Sequence, residues 1–168
     1  MHIFIALVVL ILGYFKGDWR NLHKYGLTIF YIITCNLLYN LLCYDYLLWE
    51  YRPDLLKESH ILVDLIYTFI ILPAITLLYL GNYPFTLSLG RKLKYIIVWV
   101  IGSFLVTYFI YRTDRLEFHH GYKVWMDLLF YPVMYGMLRL HYTRPILTYG
   151  LSVIIILFLL KYFNVPIK

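Results

Sequence analysis

Amide and ionisable side chains set within apolar sequence are where this chain can do chemistry, because such groups are costly in hydrocarbon and mark function when they persist there. Asn36 and Asn40 stand four residues apart in one apolar stretch, so on a helix they share a face. His60 and Asp64 open another stretch with the same spacing, in which a carboxylate can hold one imidazole nitrogen and raise the proton affinity of the ring. Asp127 opens a third, seven residues after His120. If these stretches are helices starting from one membrane face, Asp64 and Asp127 lie at comparable depth. With Asn36 and Asn40 they then form a candidate ligand-binding region for a small solute or cation. Two plainer readings stand beside that one. The asparagine amides can be polar glue between helices, each contributing about 0.6 to 2 kcal/mol, and both aspartates can sit wet in first helical turns, complementing the macrodipole. His60, His120 and Arg139 are secondary candidates. Adjacent His119 and His120 would diverge by about 100° on a helix, and no HExxH or paired-cysteine spacing supports a metal site. Arg139, one turn from a helix end, either snorkels and caps carbonyls or meets an anionic headgroup or substrate.

The elements that must position these residues are transmembrane helices. With 62% hydrophobic and 14% charged residues in a chain of 168, and a mean hydropathy of +0.73, the polar surface needed to cover a water-soluble globule is missing. The expected fold is an all-α polytopic transmembrane bundle in a single domain, with six helices, or five if the first is interfacial. Spans are expected at 2–15, 25–42, 61–80, 95–111, 124–140 and 146–163. The first lacks the basic flank and cleavage pattern of a secretory signal and reads as a retained helix. Between the second and third spans, residues 44–59 are aromatic and acidic and belong at headgroup level, part of them as a short surface helix. Ser59 is placed to N-cap the third span, Gly81-Asn82 to stop it, and Pro73 to kink it. The fifth span carries Asp127, Pro132, Gly136 and Arg139, which makes it the least suited to face lipid. Tyr31, Tyr39, Tyr67, Tyr108, Tyr131 and Tyr135 lie within spans and need hydrogen-bond partners, so a bonded aromatic interior is expected.

The net charge of +6 is dispersed among short loops, which fits anionic lipid headgroups and excludes a nucleic-acid stripe. Lys16, Arg20 and Lys24 in the first loop place both termini outside by the positive-inside rule. Every acidic residue except Asp18 lies in or beside the loops of the other side, so one membrane face is distinctly acidic. Cys35 and Cys43 would be about 12 Å apart along one helix, too far for a disulfide.

Gly17-Asp18-Trp19-Arg20-Asn21, Leu38-Tyr39-Asn40, Trp49-Glu50-Tyr51, Leu72-Pro73-Ala74 with Leu78-Tyr79-Leu80, and Met137 to Tyr142 leading to Arg144-Pro145 are the segments by which the chain resembles an uncharacterised family of short polytopic membrane proteins from spore-forming Firmicutes. The resemblance implies a multi-pass protein of the bacterial plasma membrane and carries over no functional residue. No cofactor follows from the sequence, and the bilayer is the one partner that does. Three functions remain open: binding or moving a small solute or cation, a membrane-embedded enzyme acting on lipid or envelope precursors through His60 and Asp64 or His119 and His120, and a structural or accessory subunit.

Overall fold

The computed structural model describes residues 1–53 and 60–166. Asp54, Lys57, Glu58 and the expected N-cap Ser59 lie outside them, as does Lys168. The described residues form six helices and almost no sheet, the all-α bundle expected. They are α1 (His2–Lys16), α2 (Leu22–Leu42, entered through a 3-10 turn at Trp19–Asn21), α3 (His60–Gly81), α4 (Leu89–Arg112), α5 (Asp127–Thr143) and α6 (Pro145–Tyr162). Trp19–Leu42, His60–Gly81, Leu89–Arg112 and Pro145–Tyr162 are long and apolar enough to cross a membrane. The chain is a membrane protein by this measure. α1 is apolar but has only 15 residues, about 22 Å of helix against a hydrocarbon core of about 30 Å.

Residues 44–59 do not form the expected surface helix where they are described. Trp49–Tyr51 is a strand, β1, paired antiparallel with β2 (Leu116–Phe118) in the register Trp49 to Phe118, Glu50 to Glu117 and Tyr51 to Leu116. The physical reason is long-range: both segments read apolar-acid-apolar, and each supplies the backbone partner the other lacks. Outside the pair, His119 N donates to Leu48 O at 2.9 Å and Arg52 N to Arg115 O at 3.0 Å. The strands cap the bundle end that also holds the starts of α1, α3 and α5 and the end of α6. His2 Nε2 meets Arg52 O at 3.1 Å, and the Tyr122 ring packs against both Trp49 and Phe163.

Proline marks the irregular turns. A π-helical turn at Tyr67–Ile71 immediately precedes Pro73 in α3, where the ring crowds the carbonyl of Phe69 and removes one N–H from the ladder. α4 begins at Leu89, six residues before the expected 95, so Arg91, Lys92 and Lys94 ride on its first turns and do not precede them. α5 starts at Asp127 because residues Val124–Met126 take a 3-10 turn, and it runs on to Thr143.

At the opposite end, orphan helix carbonyls find side-chain donors, as a buried or apolar setting demands. Trp19 Nε1 donates to Gly13 O at the close of α1, Asn82 Nδ2 bridges Lys16 O and Leu78 O at 2.9 Å each, and Tyr95 OH reaches Tyr79 O at 2.9 Å. Asp18 accepts from Asn21 and Tyr25, and these bonds hold its carboxylate below the ordinary range. The core between the helices is built on Tyr79, Leu77, Leu80, Tyr135 and Leu138, none more than 1% exposed. Five of the six tyrosines expected to need partners have them: Tyr31 with Ser152, Tyr39 with two backbone amides, Tyr67 with His2, Tyr131 with Thr107 and Tyr135 with Ser103. Tyr108, by contrast, is 42% exposed and faces outward.

The turn after α1 tolerates no side chain at Gly17, where a Cβ would stand 2.4 Å from Gly13 O. Gly17→Ala is expected to destabilise the fold by roughly 1–3 kcal/mol, whereas Gly150→Ala, whose Cβ meets open space, leaves it unchanged or slightly stabilised. Thermal unfolding of both variants in detergent, followed by far-ultraviolet circular dichroism, measures the difference.

Candidate functional site

Acidic and aromatic side chains gather beneath and within the strand cap in two tiers. In the inner tier, Asp127 is the first residue of α5 and only 6% exposed. It accepts a 2.7 Å hydrogen bond from Tyr122 OH, and its charge also suits the positive end of the helix dipole. Burial, then the neighbouring Asp127, pushes the Tyr122 hydroxyl well above its ordinary range, so it remains a donor. Asp64, half-buried on α3, sits one helical turn inward of His60. Tyr51 lies within electrostatic reach of both carboxylates. Its ring stacks on Tyr67 at 4.1 Å, and Tyr67 OH is 3.2 Å from His2 Nδ1. The two aspartates, from different helices, thus both lie within electrostatic reach of Tyr51, and Asp127 is not wet.

The outer tier is carried by the strands. Glu50 and Glu117 face each other across the pair, a like-charge juxtaposition that disfavours pairing unless cations offset it. Arg52 pairs with Glu117. His60 Nδ1 stands 3.6 Å from Glu50 Oε1, and His119 Nε2 stands 3.8 Å from Glu50 and 3.9 Å from Glu117. These separations exceed hydrogen-bond length, and His119 Nε2 is enclosed without a hydrogen-bond partner. Among the described residues no group of three His, Cys, Asp or Glu is arranged to hold a metal ion.

The other candidates divide by location. Asn36 Nδ2 donates to Thr68 Oγ1 at 2.7 Å, and Thr68 Oγ1 donates to Asp64 O at 2.7 Å. Asn36 therefore joins α2 to α3 beside the π turn, and its amide is already engaged. Asn40, one turn nearer the cap, is half-buried. His120 parts from His119: at φ 52° it stacks on Tyr46 at 3.5 Å. Arg139 belongs to the opposite end, with its guanidinium 4.7 Å above the Phe85 ring and 5.1 Å above Tyr83, and it donates to Thr143 at 2.9 Å.

Two features escaped the sequence reading. Glu50 and Glu117 stand in the site because of a strand pair whose only local signal is the repeated apolar-acid-apolar triplet. His119, already a candidate with His120, has only its Nε2 enclosed beside this pairing. His141, 2% exposed, bonds Thr28 through Nδ1 at 3.0 Å and stacks on Tyr31 at 4.3 Å, with Nε2 unpartnered. Its placement on the α5 face toward α2 was readable from helical spacing with Tyr135 and Leu138.

No protein-family model matches the chain, and comparisons with curated proteins and with solved structures find no match.

Removing the donor to a buried carboxylate should cost the desolvation it was offsetting, about 1–3 kcal/mol. Tyr122→Phe is expected to lower the unfolding midpoint, and adding Asp127→Asn to recover part of the loss, because a neutral amide is cheaper to bury. Circular-dichroism melts of the single and double variants check both statements.

Proposed function

We propose that this chain is a multi-pass protein of a bacterial plasma membrane that binds a small cation at its capped end, with Asp64 and Asp127 as the ligating carboxylates. The observation that carries this reading is the placement of two carboxylates, from two helices, within electrostatic reach of Tyr51 beneath an acidic cap. Inside a bundle, unneutralised carboxylates are costly, and a bound cation relieves that cost. Asn40 supplies a neutral oxygen at the same end. Asn36 acts indirectly, by fixing α2 against the π turn that precedes the proline. Glu50 and Glu117 raise the local concentration of cations at the mouth, since a cleft lined by one sign of charge focuses its field. Carboxylates favour a cation over a neutral solute as the ligand. In this reading all six helices cross the bilayer, both termini are outside, and the short α1 and α5 are accommodated by local thinning.

Isothermal titration of the protein in nanodiscs with sodium, potassium, magnesium and calcium chlorides tests the reading. Saturable binding of at least one cation is expected, weakened at least tenfold, or about 1.4 kcal/mol, by Asp64→Asn combined with Asp127→Asn. Glu50→Gln with Glu117→Gln should weaken it less and reduce its salt dependence. Absence of saturable binding in the wild type, or equal affinity in the aspartate double variant, would sink the proposal. Flux of the same cation into proteoliposomes then tells carriage from binding alone.

A further inference from the structure

A groove of about 420 Å³ runs between α1, α2 and α3, from mid-bundle toward the end opposite the strand cap, walled by Leu10, Gly26, Phe30, Phe69, Pro73 and Leu77. It opens outward: Phe30 is 68% and Phe69 53% exposed. Part of it exists because position 26 is glycine, where a Cβ would meet nothing within 4 Å. Between Trp19 and Phe30, both of which line it, α2 rises about 16 Å, roughly half of a hydrocarbon core about 30 Å thick. An unfilled groove forfeits dispersion contacts along its walls, so in a bilayer it is filled by what surrounds it.

Charge selects the occupant. The end marked by Trp19 is the basic end of the molecule. Trp19 Nε1 is tied to Gly13 O, and Lys16 follows Gly13 by about one turn at the same end of α1. Lys16 and Arg20 are exposed, and neither has an ion-pair partner among the described residues, whereas Lys24, also exposed, acts on the Asp18 carboxylate. The one acid of this turn, Asp18, faces Asn21 and Tyr25. The loops and helix ends on this side hold Arg91, Lys92, Lys94, Arg139 and Arg144 as well, and no other acid. A second copy in the same membrane orientation would set its own basic turn against this one.

We propose that the groove is a binding site for one anionic phospholipid, an acyl chain lying along Gly26 and Phe30 and the phosphate against Lys16 and Arg20. The site is separate from the carboxylates at the capped end and does not depend on their role.

Native mass spectrometry of the full chain, in detergent with equimolar dioleoyl phosphatidylglycerol and dioleoyl phosphatidylcholine, reads the lipid retained. One phosphatidylglycerol is expected in preference to phosphatidylcholine. Lys16→Gln and Arg20→Gln should each lower that preference about fivefold, the worth of one basic residue near an anionic headgroup. Gly26→Leu fills the groove and should reduce retention of both lipids about tenfold or more, by loss of acyl-chain burial. In the unaltered protein, a phosphatidylglycerol with a photoreactive acyl chain should crosslink within residues 19–30 or 69–77, which keeps the proposal testable should Gly26→Leu fail to fold. Equal retention of the two lipids, wild-type retention by a folded Gly26→Leu, or crosslinks confined to other segments would each overturn it.

Discussion

In hydrocarbon a polar group has no water to fall back on, so every hydroxyl, amide and imidazole carried into this bundle must be met from within it. The partners it finds decide which helices are neighbours. Tyr131 with Thr107 and Tyr135 with Ser103 pin α5 to α4 at two levels, one turn apart. α2 is the hub, joined to α3 through Asn36 and Thr68, to α5 through Thr28 and His141, and to α6 through Tyr31 and Ser152. Individually such bonds are worth about 0.6 to 2 kcal/mol. Because apolar surface gains little by leaving lipid for another helix, these few bonds and close packing carry the specificity that a hydrophobic core carries in water.

The two ends of the bundle solve opposite electrostatic problems. At the basic end the cations project outward and the single acid is folded in against an amide and a phenol. At the capped end the acids are drawn together by the strand register, with Glu50 directly opposite Glu117, and are tolerated because Arg52, His60 and His119 stand around them. The molecule is therefore strongly polar along its long axis even though its net charge is modest, and the carboxylates best shielded from water, Asp64 and Asp127, lie on the side where the field is already negative.

Much of this was legible beforehand, for reasons tied to period and composition. The six apolar runs gave helices with the right order and nearly the right limits. Four-residue spacing put His60 and Asp64 on one face, and the lopsided distribution of acids showed which end would be negative. The strand pair was not legible, since Trp49 to Tyr51 and Leu116 to Phe118 are each only three residues and acquire meaning from one another. The consequence of Pro73 was half legible: a proline in mid-span signals an interruption, but its resolution as a π turn at Tyr67–Ile71 depends on Thr68 and Asn36 meeting there. Arg139 was assigned to lipid or helix carbonyls, whereas the loop aromatics Tyr83 and Phe85 claim its guanidinium, a contact that helix-based reasoning does not address.

The strand pair also imposes an order on biogenesis. β1 emerges during synthesis long before β2, and it has no partner until the chain has been made past Phe118, which at ordinary elongation rates is a delay on the order of seconds. By about the middle of that interval α3 is complete and available for insertion, while the strand pair near Asp64 does not yet exist. The helix that carries Asp127 and the last helix of the bundle are made only after β2, so a ladder of three residues a side can form over an interior that is still incomplete.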